Sequence, residues 1–232
     1  MMKIAVFHGS PRKGNTYFAT DIFMDELSKN GDVRFTEFFL PEALPRFCTG
    51  CTLCFKGLHK TCPNAQYVTP ILDAMMNADA LIFAAPHYGA CSMPASMKTL
   101  FDHIDFLVLN IAPRAEMFEK KAFIITTGAG STAAIKPMKG FLKHCGVNRV
   151  YSLGFRMFTD EWANMPSSKQ ARYEKRLRKS AQKFYRARKG QPYLSTILYY
   201  HAVKSIIMKK IGAGNYPYDN WKEKGYFKKR PF

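Results

Sequence analysis

The sequence predicts an α/β fold: a doubly wound, five-stranded parallel sheet in the order 2-1-3-4-5, followed by a basic helical extension. Two features carry this reading. Short apolar runs alternate with segments of helical period, the pattern of strands joined by helical crossovers. Three polar, glycine-containing loops directly follow apolar runs, and a doubly wound sheet gathers such loops on the rim at the carboxyl ends of its strands.

The elements follow in order. Residues 3–8 read as a short buried strand. Residues 16–29 read as a helix, with Ala19, Ile22, Phe23 and Leu27 at helical spacing and Asn30-Gly31 as the stop. Residues 32–39 form a second strand, and a cysteine-rich loop (45–63) comes next. Pro70 opens a helix carrying Ile71, Leu72 and Met75. The run ADALIFAAP (78–86) is a third buried strand. Pro94 opens a helix with Met97, Leu100, Phe101, Ile104 and Leu107 on one face. KAFIITTGAG (121–130) is a fourth strand entering a glycine-rich loop. A helix through Met138, Phe141 and Leu142 leads to a fifth strand near 150–155. The expected organisation is therefore a sheet domain over 1–155 and a basic helical extension over 156–232.

At 232 residues the chain can bury a substantial core. Its opening, MMKIAVFHGS, lacks the length and cleavage pattern of a signal peptide. The longest apolar stretch, 193–211, contains His201 and Lys204 and falls short of a comfortable membrane span. These observations read as a cytoplasmic protein. The charge is uneven: residues 151–232 hold 19 Lys and Arg against 5 Asp and Glu, whereas residues 1–150 hold 16 against 12.

Each rim loop offers something different. HGSPRKGNT (8–16) has the glycine spacing of a P-loop, with Gly9, Gly14 and Thr16 in register, but Asn15 stands where a triphosphate site needs lysine. What remains is Ser10, Arg12, Asn15, Thr16 and the free amides of a helix N-terminus, a set suited to a monophosphate. A tight turn with a capped helix has the same composition. The second loop, Pro86-His87-Tyr88-Gly89, presents an aromatic ring and an approachable backbone to a planar heterocycle. The third, Thr127-Gly128-Ala129-Gly130, offers amides to a ring carbonyl or a phosphate. One phosphate loop with two ring-facing loops matches FMN better than a nucleoside triphosphate.

With these residues in place the chain resembles the NADPH-dependent FMN reductase and iron–sulfur flavoprotein family, of flavodoxin-like fold. The matching features are GSPRKGNT, the CTGCTLC loop, ADALIFAAPHY, MKTLFD and TTGAG, in that order, over roughly residues 1–155. The resemblance implies that Ser10, Arg12, Gly14, Asn15 and Thr16 hold the FMN phosphate. It implies that Pro86, His87, Tyr88, Gly89, Thr127, Gly128, Ala129 and Gly130 line the isoalloxazine. Reduced nicotinamide, NADH or NADPH, would then pass hydride to the flavin N5, and electrons would go on to an acceptor. No acid–base side chain is demanded by this chemistry, so no catalytic residue is named. Family members commonly carry an arginine after the aspartate of MKTLFD; this chain has His103. An electron-transfer flavoprotein without its own NAD(P)H activity is one rival reading, and a membrane-associated scaffold is another.

Cys48, Cys51, Cys54 and Cys62 have the spacing C-x2-C-x2-C-x7-C-P. Three thiolates at intervals of three can wrap a [4Fe–4S] cluster, and a fourth from farther along can close it. The iron–sulfur flavoproteins resembled here carry a compact four-cysteine run of this kind. A zinc site normally uses two separated C-x-x-C pairs, and a loop with no metal is the third reading. Cys91 and Cys145 read as small buried apolar residues, and His59 as a loop histidine.

The segment 167–189 begins with a serine N-cap, holds ten basic residues against one acidic, and repeats Tyr173, Leu177, Ala181 and Phe184 or Tyr185 at helical spacing. Leu194, Leu198, Ala202 and Ile206 form a second stripe. The reading assigns these faces to a second copy of the chain in a homo-oligomer, with an anionic membrane surface next. Nucleic acid ranks last, because no reader motif accompanies the charge.

Overall fold

The computed structural model describes residues 1–89, 93–188 and 191–232. Strands β1 (Met2–His8), β2 (Val33–Phe39), β3 (Ala80–Pro86), β4 (Lys121–Thr127) and β5 (Arg149–Phe155) pair in parallel in the order β2-β1-β3-β4-β5. The order is the one the sequence predicts. Ten α-helices surround the sheet among the described residues: α1 (Asn15–Lys29), α2 (Leu40–Ala43), α3 (Ala65–Asn77), α4 (Ala95–Ile104), α5 (Ala115–Phe118), α6 (Ser131–His144), α7 (Ser167–Arg186), α8 (Leu194–Ala202), α9 (Met208–Ile211) and α10 (Tyr216–Glu223).

The central strands are apolar on both faces because crossover helices cover both. Ala5, Phe7, Leu81, Phe83 and Ile124 pack with Ile71 and Met75 of α3, Leu100 of α4, and Met138 and Leu142 of α6. On the opposite face Ile4, Val6, Ile82, Phe123 and Ile125 pack with Phe23 and Leu27 of α1 and with Leu177, Ala181 and Phe184 of α7.

Four local expectations change. Pro70 does not open its helix; α3 begins five residues earlier, because the Asn64 carbonyl collects the amides of Tyr67 and Val68 and Pro70 then falls inside the second turn. Ser167 is the first helical residue of α7 and Pro166 the cap, with no side-chain capping bond. The apolar stripe of α7 is used within the chain rather than by a second copy. Phe184 sits 6.0 Å from Phe23 and 5.4 Å from Phe123, while Arg178 and Gln182 reach Asp25 and Glu26 of α1. Finally, the residues that α8 and the following π turn (Val203–Ile207) bury are Thr196, Tyr200 and Val203, while Leu194, Leu198 and Ile206 are 71%, 62% and 56% exposed. Aromatic stacking decides that rotation: Tyr200 lies 5.5 Å from Trp221, whose indole N–H donates to the Leu109 carbonyl. Among the described residues no helix is long and apolar enough to cross a membrane. Cys145 is fully buried, as expected, and Cys91 lies outside the described residues.

Leu177→Ala opens a cavity in the α1–α7 seam and should lower unfolding free energy by about 2–5 kcal/mol, whereas Leu198→Ala should stay within about 0.5 kcal/mol; urea titration of both variants checks this. A second expectation concerns His8, buried at the end of β1, where Nε2 donates to Glu37 at 2.8 Å. Burial holds its pKa below the usual histidine value, outweighing the raising effect of Glu37, and Lys13 lowers it further. The folded state therefore binds fewer protons than the unfolded state between the lowered pKa and about 6.5. The His8 contribution is complete above that window and is lost as pH falls through it. His8→Gln should flatten this part of the stability profile in denaturation curves taken from neutral to mildly acidic pH; an unchanged slope would refute it.

Candidate functional site

The parallel register brings three strand ends level. Pro86 lies opposite Thr127, and Thr127 opposite Phe155. The loops that leave them line one cavity of about 130 Å³ with the loop after β1. Ser10, Arg12, Gly14, Asn15, Thr16, Pro86, His87, Tyr88, Thr127 and Gly128 all line it, so ten of the predicted rim residues converge. Gly89, Ala129 and Gly130 stand beside the cavity without lining it.

The first loop is folded on itself: Ser10 Oγ donates to the Arg12 carbonyl at 2.8 Å and accepts the Arg12 amide at 3.2 Å. α1 starts directly after its N-cap, Gly14, with no side-chain cap, so the amides of its first turn, beside the cavity, are unpaired by any capping group. Thr16 Oγ1 lies 2.6 Å from Thr127 Oγ1 in a buried hydroxyl pair that fastens the first loop to the third. The second and third loops are equally close. The His87 amide donates to the Thr127 carbonyl, and a Cβ on Gly130 would stand 2.5 Å from the His87 ring. Gly128 has φ +123°, a conformation that favours glycine, and a Cβ there would stand 3.1 Å from the His87 carbonyl oxygen. Tyr88 remains 46% exposed over the opening.

A fourth loop completes the cavity: Met157, Thr159 and Asp160 follow β5. It carries no glycine and no phosphate-type motif; its signal was position, directly after a strand end. Asn15 Nδ2 donates to the Thr159 carbonyl at 2.8 Å, which leaves Asn15 Oδ1 buried with no partner, and Thr159 Oγ1 is buried and unpartnered too. Two orphaned polar atoms beside an uncapped helix N-terminus are what a hydroxylated phosphate ligand would satisfy. FMN fits this donor set: the cavity matches its phosphate and ribityl portion, and the exposed Tyr88 side offers a platform for its ring.

None of the four clustered cysteines lines this cavity. Cys48 and Cys51 are exposed, Cys54 and Cys62 half-buried. Gly50, Thr52 and Gly57 all have positive φ, so the chain curls tightly between the cysteines. The Leu53 amide is the main influence lowering the Cys51 pKa, whereas burial raises that of Cys54. The Asn64 amide donates to Cys62 Sγ at 3.4 Å. Two remote residues brace this loop. His103 Nδ1 donates to the Thr99 carbonyl, so its Nε2 accepts from Asn64 Nδ2 at 3.0 Å, and Asn64 also holds the Phe47 carbonyl. The Tyr216 ring lies against Gly57, where a Cβ would come within 2.6 Å. His59 stacks on Phe106 at 5.4 Å, its pKa lowered chiefly by burial. Four thiols with amide donors to sulfur are a donor set that suits an iron–sulfur cluster. Among the described residues, however, no group of three or more His, Cys, Asp or Glu side chains is gathered closely enough to hold a metal ion.

Comparison with known proteins agrees with this fold. An iron–sulfur flavoprotein of Clostridioides difficile strain 630 is 26% identical over 235 residues, covering 97% of this chain and 99% of that one. An iron–sulfur flavoprotein of Archaeoglobus fulgidus is 27% identical over 120 residues, half of each chain. Among solved structures, an NAD(P)H:quinone oxidoreductase from Methanothermobacter marburgensis superposes with a TM-score of 0.63 at 16% identity, covering 80% of this chain and 98% of that one. The NAD(P)H:acceptor oxidoreductase FerB from Paracoccus denitrificans gives 0.54 at 17% identity, over 80% and 96%. At such identities these two speak for the shared fold. The model of the NADPH-dependent FMN reductases matches residues 2–158. The chain belongs to the NADPH-dependent FMN reductase family and is an NAD(P)H flavin oxidoreductase.

Proposed function

We propose that the rim cavity holds FMN, that reduced nicotinamide is the electron donor, and that Cys48, Cys51, Cys54 and Cys62 hold a [4Fe–4S] cluster through which the protein serves a one-electron acceptor. The observation that carries the flavin assignment is the pair of buried, unpartnered oxygens, Asn15 Oδ1 and Thr159 Oγ1, beside the uncapped start of α1. Bound FMN supplies the exchange between a hydride pair and single electrons.

The chain's own groups do the rest. Thr159 Oγ1 donates to a phosphate oxygen and Asn15 Oδ1 accepts from a ribityl hydroxyl, each gaining the partner it lacks. The amides of the first turn of α1 and the Arg12 guanidinium balance the phosphate charge. His87 fills the space over Gly130 and so fixes the second loop against the third, and Tyr88 excludes water from one side of the ring. For the cluster, the support is the donor set, the amides on Cys51 and Cys62, and the likeness over nearly the whole chain to an iron–sulfur flavoprotein.

Purified protein should quench FMN fluorescence on titration. Asn15→Leu, which removes both the Thr159 bond and the free oxygen, should weaken binding about tenfold or more. Anaerobic NADPH or NADH should bleach the bound flavin, and a flavin that stays oxidised with both would reject nicotinamide as donor. Anaerobically isolated protein should contain stoichiometric iron and acid-labile sulfide, both lost in Cys51→Ser. Iron-free protein with intact flavin would reject the cluster.

A further inference from the structure

Beside the flavin cavity lies a second and larger one, of about 510 Å³, where the proposed flavin contacts reach only the shared edge at Arg12 and Gly14 and leave Lys13, Phe18, Glu161 and Trp162 unused. It shares Arg12, Gly14 and Asp160 with the smaller cavity, so the two are contiguous across the phosphate loop. Its size falls within the range of sites for small organic ligands and far exceeds what an inorganic ion needs. Two aromatic side chains face it from opposite elements: Phe18, 45% exposed on α1, and Trp162, nearly buried in the turn that precedes α7. Among the described residues the one aromatic ring that meets Phe18 is Tyr17, edge-on at 6.0 Å, which leaves much of its surface open to the cavity. Arg12 and Lys13 line the same wall. Among the described residues neither makes an ion pair, and Lys13 rests over the rings of Tyr17 and Phe39. Asp160 and Glu161 stand on the other side, Asp160 already accepting from Asn164 at 3.3 Å.

We propose that this cavity is an adenosine-phosphate site. The purine lies between Phe18 and Trp162, where flat aromatic surfaces favour stacking. A phosphate meets Arg12 and Lys13. Glu161 accepts from ribose hydroxyls, so the bases on one side of the cavity and the acids on the other each have a part of the ligand to meet. The contiguity with the flavin cavity identifies two sources for such a group: the adenosine end of NADPH, bound beside the flavin, or the adenylate half of FAD, bound in its place. The proposal rests on the flavin assignment only for the choice between these sources; the cavity itself is tested without flavin.

The experiment titrates adenosine 2′,5′-bisphosphate and adenosine 5′-monophosphate into the full-length protein, followed by calorimetry and by quenching of Trp162 fluorescence, with Trp221→Phe as background. Phe18→Ala and Lys13→Ala are compared with the parent in the same assay. Both nucleotides should bind. Phe18→Ala should weaken both about fivefold, a lost aromatic contact, and Lys13→Ala should weaken the bisphosphate more than the monophosphate. Both variants should keep the parent's affinity for FMN, so failure of the flavin site is read separately. Competition by NADP⁺ on FMN-loaded protein supports the nicotinamide source. Tighter binding of FAD than of FMN, abolished by Phe18→Ala, supports the flavin source. Absence of nucleotide binding, or equal binding by parent and both variants, overturns the proposal.

Discussion

Everything on the rim depends on the in-register ending of parallel strands. Pro86, Thr127 and Phe155 are consecutive partners across β3, β4 and β5, so the loops beyond them start from one level. That level is fixed by side-chain alternation: Phe83 and Ile124 belong to one core, Ile82 and Ile125 to the other. A slip of one residue would exchange the two sets and send the rim out of line at the same time. Core packing and site geometry are thus one requirement. The hydroxyl pair Thr16–Thr127 carries the same alignment into the loops.

Much of this was legible in the sequence, for physical reasons that also mark where legibility ends. Buried parallel strands read as short apolar runs because both faces are covered, and glycine-rich loops at strand ends announced three of the four rim segments. The fourth, with Met157, Thr159 and Asp160, was invisible because its contribution is a carbonyl and a hydroxyl placed by β5 rather than a motif. Helical periodicity found the stripes on α7 and α8 but could not say what they face. For α7 the answer is α1 and the sheet; for α8 the stacking of Tyr200 on Trp221 turns a different stripe inward. Pro70 misled as a helix start, since a carbonyl at Asn64 can nucleate the turn ahead of it.

The cysteine loop shows a different limit. Spacing identifies a thiol donor set, yet the loop's shape is imposed by residues distant in sequence. Both ring nitrogens of His103 are engaged inside the protein, one with its own helix and one with Asn64. Tyr216, from the far end of the chain, closes on Gly57 from the other side. The C-terminal segment is therefore part of how that loop is held.

The amino end of the sheet has its own economy of charge. Lys120 donates to the carbonyls of Met76 and Ala78 past the end of α3, and Lys121 to those of Phe184, Tyr185 and Ala187 at the end of α7. Burial lowers both pKa values, and Asp79 is among the groups opposing that shift for each. Each ammonium serves as an internal counter-ion for the negative pole of a helix. The molecule is consequently polarised along its strands: the pole that attracts cations is neutralised within the chain, while the pole that attracts anions is left open.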